Sequence, residues 1–131
     1  MMPQSPIARA LLGTALYLLV ALAIRKLGPS WFAPDTVTRL GGMWIAVPSI
    51  VIANVLPKKK MIPLDRIAGD PAQVQALRRF VARALVLGGI GFMLAYALAP
   101  LAVANSMAAS LMAIALVVVG LRIMWSGRRP A

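Results

Sequence analysis

The stretch Pro57–Arg83, PKKKMIPLDRIAGDPAQVQALRRFVAR, separates two pairs of hydrophobic runs and carries half of the 14 Lys and Arg residues of the chain. Its position decides the fold. Each flanking run approaches the roughly 20 residues that a helix needs to cross about 30 Å of hydrocarbon. The chain is 61% hydrophobic with a mean hydropathy of +0.85, against about 45 to 50% apolar residues in soluble domains. Aromatic residues are only 6%, so the apolar weight lies in Ala, Leu, Val, Ile and Met. The pattern predicts an all-α polytopic membrane protein, four transmembrane helices in one small bundle over 1–131.

A net charge of +11 in a soluble protein would point to nucleic acid. Here the cations lie almost entirely outside the apolar runs and alternate with membrane-directed residues, so they belong to membrane orientation and no nucleic-acid partner is expected. The chain has no cysteine and no histidine, and its only acids are Asp35, Asp65 and Asp70. Those absences exclude disulfides, thiolate nucleophiles, the commonest zinc ligands and the usual general base. They also exclude the buried carboxylate of a proton-coupled exporter. No catalytic, cofactor-binding or metal-ligating residue is expected, no cofactor, and no enzymatic activity.

Upstream of the basic stretch, the second span covers about 37–56. Pro48 lacks an amide hydrogen and clashes with the Trp44 carbonyl, which predicts a kink halfway across; the freed carbonyl needs a partner, from Ser49 or a neighbouring helix. Pro48 and Asn54 are the candidate hinge and polar positions of this span. Asp35 is placed to cap its N-terminus. The first span covers about 7–27 and is read as retained, with a cleaved signal peptide as the rival because Ala21-Leu22-Ala23 fits a cleavage site. Between them, Gly28-Pro29 and Pro34 predict a turn, with Trp31 and Phe32 at headgroup level.

Downstream, Pro57 ends the second span. The cytoplasmic basic connection is read as 57–79, with Met61–Gly69 lying along the surface. Asp70-Pro71-Ala72-Gln73 gives an N-cap, a proline at the first helical position and a capping-box residue, so a helix starts at Pro71. It runs unbroken to Pro100 and contains the third span, about 80–99. Lys58, Lys59, Lys60, Arg78, Arg79 and Arg83 are assigned to anionic lipid headgroups, reached by snorkelling. Ala84, Gly88, Gly91, Ala95 and Ala99 share one helix face and predict close helix packing, whether within the chain or with another. Pro100–Ser106, PLAVANS, is read as a connection, and the fourth span covers about 106–124, with Arg122 snorkelling to the interface near its end.

With four spans, both termini and the basic connection share one side. That side holds Arg9, the cations of 58–83, Arg122, Arg128 and Arg129; the other holds only Arg25, Lys26 and Arg39. The positive-inside rule places the richer side in the cytoplasm, which predicts a multi-pass inner-membrane protein with both termini cytoplasmic.

From Asn54-Val55-Leu56-Pro57-Lys58 through Leu77-Arg78-Arg79-Phe80-Val81 into the glycine-rich span, the sequence resembles SdpI-like integral membrane proteins over about Trp44 to Pro100. The matching positions are Asn54, Pro57 and Lys58. Some members of that group are bacteriocin immunity and signalling proteins, so the resemblance implies a protective or regulatory role.

The expected partners are a bilayer with anionic headgroups and a membrane protein or a second copy of the chain. The leading expectation is action by helix contact, regulatory, protective or immunity-like. The alternative is a small homo-oligomeric transporter or channel subunit, its path lined by Thr14, Tyr17, Ser49, Asn54, Ser106 and Ser110.

Overall fold

The structure, a computed structural model, describes residues 5–58 and 70–128. Its helices are α1 (Pro6–Trp31), α2 (Pro34–Ile45), α3 (Val47–Val55), α4 (Pro71–Leu98) and α5 (Leu101–Arg128). The pair α2 and α3 makes one span, Pro34–Val55, and the other three helices make one span each. The protein is an all-α, multi-pass membrane protein with four spans, and the described residues contain no strand. The expected surface segment Met61–Gly69, with Asp65, lies outside the described residues, as do Lys59, Lys60 and Arg129.

Local sequence sets the helix ends. Ser5 accepts a hydrogen bond from the Ala8 amide at 3.1 Å, and Pro6 follows at the first helical position. The expected turn at Gly28-Pro29 does not form there. Pro29 falls in the last turn of α1, where it removes a single helical hydrogen bond, that to the Arg25 carbonyl. The helix ends only when the Phe32 amide bonds the Gly28 carbonyl at 2.8 Å. Pro34 then opens α2 one residue ahead of Asp35. Asp35 therefore makes no cap hydrogen bond; its charge favours the positive end of the helix from within the first turn. At α4 the start is the expected one, with the Asp70 side chain accepting from the Ala72 amide at 3.4 Å.

The connection between α4 and α5 is shorter than the seven residues of PLAVANS. It consists of Ala99 and Pro100, and the Pro100 carbonyl already accepts from the amides of Val103 and Ala104 at 3.0 and 2.9 Å. Asn105 and Ser106 consequently lie inside α5, and the Ser106 hydroxyl donates to the Val103 carbonyl at 2.9 Å.

Helix α4 is the centre of the bundle and packs against α2, α3 and most extensively α5, whereas α1 packs, among the described helices, against α2 alone. Buried residues gather at the two ends. At the basic end, Ala53 and Leu56 meet Leu77, Val81, Ala82 and Val119. At the opposite end, Ala95, Tyr96 and Ala99 meet Ala104 and Ala108; those last two are fully buried, at 0% exposure. Between the clusters the helices approach through glycine. A methyl group built on Gly88 would lie 2.8 Å from the Ala115 methyl, and one on Gly89 would lie 2.7 Å from the Ser49 hydroxyl and 2.9 Å from Ile50. All three distances are shorter than van der Waals contact allows, so α4 needs glycine towards two neighbours at one level. Backbone contact of this kind holds helices together where lipid removes the hydrophobic drive for them to associate.

Candidate functional site

Polar chemistry in the described spans concentrates at three levels: the junction of α2 with α4 at the end opposite the basic one, the middle of the second span, and the basic end.

The junction is built by Arg39, in the second turn of α2. Its Nη1 lies 2.8 Å from the Tyr96 carbonyl, 3.2 Å from that of Ala97 and 2.8 Å from that of Ala99. The cause is in the local sequence. A helix leaves its last carbonyls without intrahelical donors, and Pro100, which would have served Tyr96, has no amide hydrogen. The Arg39 guanidinium fills that gap and puts a positive charge at the negative end of the α4 dipole. Beside it, the Tyr96 hydroxyl donates to Asn105 Oδ1 at 2.9 Å, tying α4 to α5 across the short turn. The Tyr96 ring lies against Gly42, where an added methyl would overlap it. Arg39, Gly42, Tyr96 and Asn105 thus lock three helices together. Sequence reading counted Arg39 only as an outer cation; the signal that marks it is a lone arginine inside a span opposite a helix that ends in proline.

In the middle of the second span the expected Pro48 kink shows as a one-residue break at Ala46, whose backbone stays in the right-handed helical region, between α2 and α3. The Ala46 amide bonds the Met43 carbonyl at 3.2 Å, and the Trp44 carbonyl, which Pro48 leaves without its helical donor, accepts the Tyr17 hydroxyl from α1 at 3.4 Å. The Trp44 indole N–H donates back to the Tyr17 carbonyl at 3.1 Å, and the two rings stack with centroids 5.5 Å apart. Ser49 donates to the Ala46 carbonyl at 2.7 Å. The neighbouring helix therefore serves the freed carbonyl, because a backbone carbonyl surrounded by lipid has no water to turn to and must find its donor within the protein; Ser49 serves a different carbonyl, one that also accepts the Ser49 and Ile50 amides. Pro48 itself is half-buried.

At the basic end Asn54 is exposed, and its Oδ1 accepts from the Lys58 ammonium at 3.2 Å. Arg79 and Arg83 are exposed, one turn apart on the outer face of α4. Arg78 differs from the expected headgroup contact, because it is only 6% exposed. The reason is helical phase: Val74 and Ala82, one turn to either side, are both buried, so position 78 faces the bundle while 79 and 83 face away. The Arg122 guanidinium stands 5.6 Å from the centre of the Phe80 ring, a cation–π contact between α5 and α4.

The small-residue face Ala84, Gly88, Gly91, Ala95 and Ala99 turns towards α5. Gly88 meets Met112 and Ala115, Gly91 meets Leu111, and Ala95 and Ala99 join the cluster with Ala104 and Ala108. Gly89 was absent from the expected face, because it points to α3 instead.

The polar residues suggested as a path do not converge within one chain. Thr14, Asn54, Ser106 and Ser110 are exposed on three different helices, and Ser110 donates to its own helix at the Ser106 carbonyl, 2.7 Å away. No group of three or more carboxylate, histidine or cysteine residues that would hold a metal ion occurs among the described residues. Comparison with known protein families, characterised proteins and solved structures finds no match to this chain.

Proposed function

We propose that the protein is a small inner-membrane protein, with both termini and the basic segment in the cytoplasm, that acts by helix contact with a membrane protein or a second copy of itself. The observation that carries this reading is the placement of α1. Among the described helices it packs on α2 alone, and its exposed residues include Leu11, Leu12, Leu16 and Leu19. It is fastened to the bundle by the Tyr17–Trp44 pair and by Gly28 against Val37. A span so lightly covered presents a long apolar face in the plane of the membrane. The charge asymmetry of the chain supports the orientation, and a protective or regulatory consequence of the contact is part of the same proposal.

The one-residue break at Ala46 favours a second reading, a homo-oligomeric transporter or channel subunit, since irregular points within spans recur at transport sites. The two readings differ in what touches α1 and in whether flux occurs. Photoreactive residues placed at Leu12, Leu16 and Leu19, with Leu94 and Leu98 of α4 as references, should yield a protein adduct from α1 in native membranes. Adducts with lipid alone at every position would sink the contact reading, and substrate flux by the purified protein in liposomes would replace it with the second. The absence of cysteine makes orientation directly readable: single cysteines at Ser5 and Ser126 should react only with reagent on the cytoplasmic side.

A further inference from the structure

We infer that the basic end of α4 carries a specific site for one anionic diacyl phospholipid, its phosphate held between Lys58 and Arg83 and its two acyl chains lying on opposite sides of the Arg83–Leu87 ridge.

Two apolar grooves run from the basic end towards the middle of the bundle. One, between α3 and α4, has a volume of about 830 Å³ and is walled by Val51, Ala53 and Val86. The other, between α4 and α5, has a volume of about 500 Å³ and is walled by Leu111, Ile114 and Val118. Both are bordered by Arg83 and Leu87, which lie one turn apart, so a single ridge divides them. A molecule with two apolar chains joined at a charged head matches that shape, one chain to each groove and the head at the arginine.

Charge selects the head. Lys58 and Asn54 line the mouth of the wider groove beside Arg83, and the Asn54 oxygen holds the ammonium one turn back along the helix, at 3.2 Å. Among the described residues, no carboxylate borders either groove. Two cations bordering one groove favour a phosphodiester bearing net negative charge over a zwitterionic head, whose own amine would meet them. Arg79 lies on the same exposed face but borders neither groove, which separates this site from general attraction of the basic end to the membrane.

The test is lipid binding to the purified full chain in mild detergent, read by native mass spectrometry with dioleoyl phosphatidylglycerol and dioleoyl phosphatidylcholine. One phosphatidylglycerol per chain should be retained, with an affinity about tenfold above that for phosphatidylcholine, and K58Q/R83Q should remove that preference. K26Q/R79Q, which deletes equal charge outside the grooves, should change binding by less than about twofold. V51W keeps every charge and fills the wider groove, so it should weaken phosphatidylglycerol binding while circular dichroism shows unchanged helicity. The site is overturned if both charge variants act alike, if V51W binds as the wild type does, or if inorganic phosphate at millimolar concentration displaces the lipid. It is equally overturned if a second copy of the chain fills the grooves and excludes lipid.

Discussion

Helices α1 and α4 are both long, apolar spans, yet one stands at the edge of the bundle and the other at its centre. A third of the most apolar window of α4 is buried, against none of that of α1. Hydropathy does not separate them; the placement of glycine does. On α4, Gly88 and Gly89 point to two different neighbours, each within a distance that excludes even a methyl group. On α1, Gly13 has nothing near it and only Gly28 meets another helix, at the Val37 side chain. In lipid, where apolar surface gains nothing by leaving the solvent, the helix that allows the closest backbone approach collects the others.

This contrast can be broken most strongly at the glycine layer. G88L/G89L should lower the resistance of the bundle to SDS-induced unfolding by more than about 3 kcal/mol, since each single overpacking event costs typically about 1–3 kcal/mol. G13L on α1 should change it by no more than about 0.5 kcal/mol. Equal losses at the two sites would mean that α1 is as deeply packed as α4. The next effect is at the junction of α2 with α4: R39A removes a charged donor from the carbonyls that end α4, with an expected loss of about 1.5–3 kcal/mol, and R39K should recover only part of it. G42A should cost about 1–3 kcal/mol by forcing the Tyr96 ring aside. Smallest is the bond between α1 and the bundle. Y17F, which removes the hydroxyl that reaches the Trp44 carbonyl, should cost about 0.6 kcal/mol, the usual scale for a hydrogen bond between membrane helices. A loss several times larger would move α1 from an attached helix to an integral part of the core.

Much of this fold was legible in the sequence because its signals are local. Apolar length gave four spans, Asp70-Pro71 gave the start of α4, and Pro48 marked the interruption in the second span. The small face of α4 was visible by spacing, although only contact with α5 says what occupies it. What sequence reading missed depends on pairs distant along the chain. Arg39 looks like a loop cation until Pro100 brings the end of α4 beside it, 57 to 60 residues away. Arg78 looks like Arg79 until helical phase turns it inward. The turn at Ala99-Pro100 was read as longer because Asn105 and Ser106 have the composition of a turn; inside α5 the asparagine instead receives Tyr96, and the serine bonds back to its own helix. The paired grooves at the basic end were invisible for the same reason, since three helices must assemble before Arg83 stands between them.

That two-residue turn also bears on how the chain enters the membrane. Residues 84 to 121 contain no charged side chain, so the hairpin of α4 and α5 reaches the far side without carrying a single ion through the hydrocarbon. It offers no polar segment there for a protease, a modifying enzyme or an inserted epitope. In the proposed orientation the hairpin is thus equipped to insert as one unit, and the charges that cross belong to the first two spans: Arg25, Lys26, Asp35 and Arg39.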